Sequence, residues 1–323
     1  MGRNQDTSQF AKRYLVTGGA GFIGSHLAHH LVALGHQVCV LDDLSSGRTD
    51  NLPRGAELVV ANACDRDSLD QAARGCAGIF HLAAIASVAR SVEDWIGTHR
   101  ANQTATIAVL ETARRHGNLP VVFASSAAIY GDQCPAAEHL APAPRSAYGA
   151  DKAGSELHLQ AGWCSFALPS AALRFFNVFG PRQDPASPYS GVISAFLARA
   201  LAGSPLTLHG DGAQSRDFIF VQDVARFLHE AMERLHRTPS HFACNVCTGA
   251  ATTIRQLAEM TASLAGGRAA IEHAAPRTGD VRHSRGNPDA ATALLGIRAE
   301  TSLEAGLAAT MRWMKAQALR VAS

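Results

Sequence analysis

A chain of 323 residues, 47% hydrophobic and 17% charged, holds enough apolar material for a large packed core and excludes a disordered protein. Its net charge of +2, spread along the chain, leaves no basic footprint for nucleic acid or an anionic membrane; a few well-placed Arg side chains would still suffice for an anionic small molecule. No apolar run is long enough to cross a bilayer, the polar stretch Met1–Arg13 does not read as a signal peptide, and seven unevenly spaced Cys suggest no disulfide framework, so a cytoplasmic, reduced protein is expected.

In chain order, Tyr14–Val16 reads as a short buried strand running into Thr17–Gly24 (TGGAGFIG). Ile23, Leu27, Leu31 and Leu34 then recur at helical spacing until Gly35 stops the helix. Val38–Leu41 is a second strand that ends at Asp42, which completes a β-α-β unit with a right-handed crossover. Leu58–Val60 is a strand, Ser68–Ala73 a helix, Gly78–Leu82 a strand, and Thr98–His116 one long helix. Pro120–Ala124 is the next strand, ending at Ser125-Ser126; a helix carrying Tyr148 and Lys152 follows, then the strand Ser170–Phe175. Strands alternating with helices predict an α/β fold built on a doubly wound parallel sheet.

After Asn177 the texture changes. Gly180-Pro181 and Asp184–Ser190 are rich in Pro, Ser and Gly, as a smaller, loop-rich substrate lobe would begin. The expected division is a nucleotide domain over 1–180, to which the chain returns at about 213–250, and a substrate lobe over 181–212 and 251–323. His241–Val246 supplies the returning strand.

Gly18, Gly21 and Gly24 lie where the first strand meets the first helix. Glycines there permit a tight turn and bring bare backbone against a pyrophosphate, while the helix N-terminus offers N–H donors and a positive dipole end. Asp42 stands at the distance expected for a carboxylate that accepts from the adenosine ribose hydroxyls. That carboxylate would repel a 2′-phosphate, so NAD is favoured over NADP. Arg48 is close enough to counter it in principle but reads as a solvated loop residue.

Tyr148 and Lys152 are four apart on one helical face. A free phenol with a pKa near 10 is a poor base, and a neighbouring ammonium together with a cationic nicotinamide would lower it. Ser126 can hydrogen-bond the same substrate oxygen. Ser126, Tyr148 and Lys152 are therefore the candidate catalytic residues.

These stretches carry a resemblance to the extended short-chain dehydrogenase/reductase family, in particular to its UDP-sugar 4-epimerases. The matching segments are Thr17–Leu27, His81–Ala84, Ser125–Gly131, Tyr148–Lys152, Arg174–Gln183, Gly210–Val224 and Arg277–Ser284, so the resemblance covers nearly the whole chain. It implies a Rossmann sheet with a smaller C-terminal substrate-binding lobe, and a cofactor set of Gly18, Gly21, Phe22, Ile23, Gly24, Asp42, Asn62, Ala63, Ala83, Tyr148 and Lys152. On the substrate side it implies Ser87, Ser126, Asn177, Arg216, Arg277, Asp280 and Ser284. In it Asn177 meets the phosphate region, Arg216 and Arg277 clamp the diphosphate as the planar guanidinium fork suits, and Asp280 holds the ribose. Two positions depart from the pattern. Asn62 stands where an Asp near the adenine is usual, though an amide oxygen can still accept, and Gln103-Thr104-Ala105-Thr106 replaces a Gly-Thr, which bears on packing.

The implied reaction oxidises C4 of a UDP-hexose to a transient ketone and returns the hydride to the other face, with NAD regenerated in each turnover. In epimerases that this chain resembles, the position seven residues after the diphosphate-binding Arg lines the sugar pocket; here it is Ser284, which would leave room for a 2-acetamido group where a Tyr would fill it, so the resemblance implies UDP-N-acetylglucosamine and UDP-N-acetylgalactosamine as the expected pair and UDP-glucose/UDP-galactose as the alternative. A dehydratase would need an acid beside Ser126, where Ala127-Ala128 stand, and a silent NAD-binding protein would not need Ser126, Tyr148 and Lys152 intact. Members pair through the Thr98–His116 and Tyr148 helices, so a homodimer is expected. No metal is expected: Cys244-x-x-Cys247 has no second pair and reads as the end of an apolar strand. His26 and His30 read as a surface pair, and His81 as a packing residue at a strand end.

Overall fold

The computed structural model describes residues 11–185, 191–267, 269–276 and 281–322. Up to the sixth strand the elements are β1 (Arg13–Thr17), α1 (Phe22–Ala33), β2 (Gln37–Asp42), β3 (Glu57–Val60), α2 (Arg66–Ala73), β4 (Gly78–His81), α3 (Val88–Glu93), α4 (Trp95–His99), α5 (Ala105–Arg115), β5 (Val121–Ser126), α6 (Ala147–Phe166) and β6 (Ser170–Phe175). There follow β7 (Asn177–Phe179), α7 (Val192–Leu201), β8 (Leu206–His209), β9 (Ser215–Arg216), β10 (Phe218–Phe220), α8 (Val221–Arg237) and β11 (His241–Val246). The last are β12 (Thr252–Thr253), α9 (Ile254–Leu264), β13 (Ile271–Ala274), β14 (His283–Ser284), α10 (Asp289–Leu295) and α11 (Leu303–Ala322).

Two compact units emerge from the contacts. The first comprises the described residues up to Ser126, with Arg145–Leu173 and Ala225–Ala243; the second comprises Ala127–Pro144, Arg174–Val224 and the described residues from Cys244 onward. A seven-stranded sheet in the order β11-β6-β5-β4-β1-β2-β3 organises the first, with the far ends of β6 and β11 running on into the second. β3, β2, β1, β4 and β5 pair in parallel, Tyr14 standing opposite Val38 on one side and Gly78 on the other. Tyr14, Leu15 and Val16 are wholly buried, as an apolar run must be when helices cover both faces of a parallel sheet. The expected doubly wound, Rossmann-type sheet is therefore present. Strand order reverses between β1 and β4, and the crevice outside their carboxyl ends is where such sheets bind ligands.

The helices follow from their spacing. Leu27, Ala28 and Leu31 of α1 lose all exposure against the sheet, and Gly35 closes the helix with φ +85°. The segment Thr98–His116, expected as one helix, is instead α4, a π-helical turn over Arg100–Thr104, and α5. The wider turn places Asn102, 2% exposed, so that its amide accepts the Ile85 N–H at 2.8 Å and donates to the Ile85 carbonyl at 3.3 Å. Two apolar clusters result. One packs Leu15, Leu41, Ile79, Val109 and Phe123 inside the first unit; the other packs Phe179, Phe196, Leu208, Leu257 and Met311 inside the second. Among the described residues no helix is long and apolar enough to cross a membrane.

Candidate functional site

The glycine turn between β1 and α1 is tight enough that two of its members tolerate no side chain. Gly18 has φ +69°, and a Cβ on it would come within 2.6 Å of the Ala83 nitrogen, so the turn after β1 lies directly on the strand end after β4. A Cβ on Gly24 would meet the Gly18 carbonyl oxygen at 2.1 Å, which seats α1 against the turn. On Gly21, by contrast, it would approach only the Gly18 oxygen, at 3.3 Å, and otherwise face open space. No side chain caps α1 and no acid stands in its first turn. The N–H groups of Phe22 and Ile23 are thus among those that an α-helix leaves without an internal acceptor, and they stand at the positive end of the helix dipole.

Asp42, 7% exposed, ends β2. Its two carboxylate oxygens accept the Ala20 and Leu44 N–H groups, each at 2.9 Å, and the Gly21 N–H adds a third hydrogen bond, which still leaves acceptor capacity for a ribose hydroxyl. Burial pushes its pKa up, against those backbone hydrogen bonds. Arg48 is exposed, as a solvated loop residue should be. Asn62 donates to Asp43 at 3.2 Å, and its amide oxygen accepts the Cys64 N–H at 2.9 Å, keeping a second lone pair; Ala63 beside it is buried. A dinucleotide therefore fits the chemistry of this cradle: bare glycine backbone and a helix end for the pyrophosphate, a carboxylate for the ribose.

α6 brings the catalytic candidates together on successive turns. Its first turn is capped by Ser146, whose hydroxyl accepts the Gly149 N–H. Tyr148, half-buried, shares a hydrogen bond with Ser126 at the end of β5. Lys152, 3% exposed, donates to the Ala124 carbonyl at 2.7 Å and sits 4.5 Å from the centre of the Phe123 ring and 5.8 Å from that of Tyr148. Burial lowers the Lys152 pKa to about 7, with Asp151 and Glu156 opposing the shift. Burial also raises the Tyr148 phenol, with the Ser126 hydrogen bond opposing it. Burial therefore outweighs the Ser126 hydrogen bond at the phenol, and Lys152 by itself does not lower it.

Several neighbours escaped the sequence. Glu156, one turn beyond Lys152, accepts a 2.5 Å hydrogen bond from the Ser125 hydroxyl. Asp151 pairs with His99 at 2.7 Å. Only helical spacing could have pointed to either acid. His81 is fully buried, hydrogen-bonded to Thr17 at 2.7 Å and Thr106 at 3.1 Å and stacked on Phe123, and burial takes its pKa down to about 3. Ser87 is buried and its hydroxyl caps α3, accepting the Arg90 N–H at 3.0 Å. Two expectations change or gain detail. His26 and His30 are not a surface pair: His26 is buried against Phe22, and His30 is half-buried with its ring 5.3 Å from His229. Cys244 and Cys247 are both buried free thiols.

Of the substrate-side candidates, Ser87 and Ser126 lie in the first unit and Asn177, Arg216 and Ser284 in the second. Asn177 and Arg216 line one cavity of about 610 Å³, with His209 and Gln214 among its other walls, within the ~300–1,000 Å³ usual for small-molecule sites. Asn177 donates its amide to the Asp217 carbonyl at 3.1 Å. β9 is the centre of a three-stranded sheet, and β14 runs parallel to it with Ser284 directly opposite Arg216. Arg277 and Asp280 lie outside the described residues. Among the described residues no three His, Cys, Asp or Glu side chains are grouped so as to hold a metal ion.

Residues 14–247 match the model of the NAD dependent epimerase/dehydratase family. A UDP-glucose 4-epimerase of Mycolicibacterium smegmatis is 37% identical over 94% of this chain and 98% of its own length. Among solved structures, a UDP-N-acetylglucosamine 4-epimerase from Methanobrevibacter ruminantium M1 in complex with UDP-N-acetylmuramic acid superposes with a TM-score of 0.90 at 34% identity, covering 95% of this chain and 99% of that one. A Thermus thermophilus UDP-glucose 4-epimerase in complex with NAD does so with a TM-score of 0.86 at 36% identity, covering 94% and 99%. A family match running from the first strand through the last strand of the sheet, with relatives aligned over nearly their full length, shows that the chain belongs to the NAD dependent epimerase/dehydratase family and is an NAD-dependent enzyme.

Proposed function

We propose that the chain is a UDP-sugar 4-epimerase whose main pair is UDP-N-acetylglucosamine and UDP-N-acetylgalactosamine. The coarser part of this reading is supported by relatives of that activity over almost the whole chain. The finer part is carried by one observation, the small Ser284 opposite the cavity-lining Arg216. A side chain of one hydroxyl there leaves space beside the guanidinium that a Tyr ring would occupy. The names of two relatives favour the second reading, UDP-glucose and UDP-galactose.

In this proposal the nucleotide domain, 1–180 with the return at 213–250, holds NAD. Gly18, Gly21, Phe22, Ile23 and Gly24 take the pyrophosphate, Asp42 the ribose, Asn62 and Ala63 the adenine, and Ala83 the floor of the crevice. The bound cofactor supplies the acceptor and donor of the C4 hydride. Ser126 and Tyr148 hold the sugar hydroxyl, and Tyr148, as the phenolate, takes its proton as the C4 carbonyl forms and becomes the neutral phenol. Lys152 stabilises the phenolate before that transfer and again when the proton is given back. Returning the same proton from Tyr148 to that oxygen would restore the hydroxyl in the epimer. Asn177, Arg216, Arg277 and Asp280 hold the UDP moiety, and Ser87 and Ser284 border the sugar. The protein acts as a homodimer: Val92, Trp95 and Ile96 on α3 and α4, with Leu157 on α6, are exposed apolar side chains on neighbouring helices.

A panel of the four UDP-sugars tests the specificity. The wild type should favour the acetylated pair, and Ser284→Tyr should lose it while keeping or gaining UDP-glucose and UDP-galactose. A wild type inactive on acetylated sugars, or an equal loss on both pairs in the variant, overturns the assignment.

A further inference from the structure

Three consecutive turns of α6 grip the last three residues of β5. Tyr148 bonds Ser126, Lys152 donates to the Ala124 carbonyl at 2.7 Å, and Glu156 accepts from the Ser125 hydroxyl at 2.5 Å. The spacing of four residues aligns the three side chains on one helix face. Two of these grips belong to residues already given roles; the third does not. Ser125 is 2% exposed and Glu156 is 9% exposed, so the carboxylate has been taken out of water to make this bond. An acid buried for packing alone would be costly, since an apolar side chain fills the same volume without the desolvation penalty. A charged acceptor makes a shorter and stronger hydrogen bond than a neutral one, which suits a contact whose purpose is placement.

We propose that Glu156 is a positioning residue for the reaction: through Ser125 it fixes the end of β5 and so the hydroxyl of Ser126 against Tyr148. The proposal rests on the reading of Ser126 and Tyr148 as the groups that handle the sugar hydroxyl. Ser125 and Ser126 are consecutive at the end of β5, so holding the Ser125 hydroxyl on α6 fixes the rotation and height of the backbone that carries Ser126. Loss of the Glu156 contact would free the strand end by fractions of an ångström, and misplacement on that scale is felt in the chemical step more than in binding. Glu156 also adds negative charge near Lys152, and so helps keep the ammonium protonated.

The test is a double-mutant cycle on the enzyme with its bound cofactor. Ser125→Ala removes the donor with minimal change of volume and should lower kcat by roughly 10- to 100-fold, with KM for the UDP-sugar and NAD occupancy little changed. Glu156→Ala should lose a similar factor, and the double variant should be no worse than the worse single one. Glu156→Gln keeps an acceptor for Ser125 and should recover most of kcat. It lacks the charge, so its alkaline kcat limb should move to lower pH as Lys152 deprotonates sooner, a change that a purely structural role would not produce. Ser125→Ala at wild-type kcat overturns the proposal, as do fully additive losses or a Glu156→Gln profile unshifted in pH. Ser126→Ala separates the two layers: if it retains full activity, the underlying reading of Ser126 fails whatever Glu156 does.

Discussion

At the scale of single residues, the proposed chemistry turns on two groups whose charged forms burial disfavours. Lys152 loses its solvent shell and recovers one carbonyl, one ring face and the distant charges of Asp151 and Glu156. Its fall to about 7 means that on the order of 5 kcal/mol of hydration has not been replaced. Tyr148 is pushed up by the same burial. A phenol in that state is a poor base until charge is placed near it, which makes proton transfer dependent on the loaded site. Tyr148→Phe removes the only side-chain oxygen proposed to take the proton. It should cost a hundredfold or more in turnover while NAD stays bound through purification; a variant retaining more than a few per cent of the wild-type rate contradicts the assignment. Tyr148, Lys152 and Ser126 were legible in the sequence because their spacing and the strand end fall at a recognisable place. Glu156 was not: an acid four residues past a lysine is the commonest of helix-surface patterns, and only the packing of α6 on β5 shows that it is buried.

At the scale of elements, the seven strands of the large sheet were legible, one helix was read as continuous where it is broken, and α3, α7–α11 and the short strands were not read. The inner strands of the sheet are short apolar runs bounded by Gly, Pro or a charge, a pattern that burial on both faces enforces, while the edge strand β3 is only partly buried. The stretch before α5 hides its form because Asp94 both ends α3 and caps α4, accepting the Gly97 N–H at 2.8 Å, and because a π-turn breaks the 3.6-residue period. The region joining α1, β1 and α8 has its own consequence. His30 packs edge-on against His229 and His36 is tilted against it, and His236 meets Tyr14, which accompanies Glu233 and Lys12. Burial lowers the pKa of His30, His36, His229 and His236. His81, behind the glycine turn, falls to about 3. In each case the unfolded chain takes up a proton near pH 6.5 that the folded chain refuses, so stability is full above that pH and is lost as pH falls below it. His81 alone should remove about 1.4 kcal/mol at pH 5.5. Urea midpoints should therefore drop clearly between pH 7.5 and 5.5; a flat profile over that window contradicts the burial of these rings.

At the scale of the whole molecule, the account assigns NAD to the first unit and the nucleotide sugar to the cavity of the second. Glycine backbone and Asp42 announce the first in the sequence. The second is spread over β7, β9 and β14, short strands whose pairing no local pattern reveals: Ser284 and Arg216 are 68 residues apart and meet only through the register of β14 on β9. The exposed side chains of α3, α4 and α6 predict assembly. Light scattering at micromolar concentration should give the mass of two chains, and Trp95→Glu with Ile96→Glu, at positions 67% and 85% exposed, should give one; a wild-type monomer contradicts the dimer. The central claim is that one proton-handling group and one resident cofactor invert C4 without releasing the sugar's hydrogen. It is tested most directly by giving the purified enzyme UDP-N-acetylglucosamine deuterated at C4, with no added NAD, and reading the product by mass spectrometry and NMR. The account predicts UDP-N-acetylgalactosamine that retains its C4 deuterium; no epimer formed by enzyme carrying NAD, or an epimer whose C4 hydrogen comes from solvent, would contradict it.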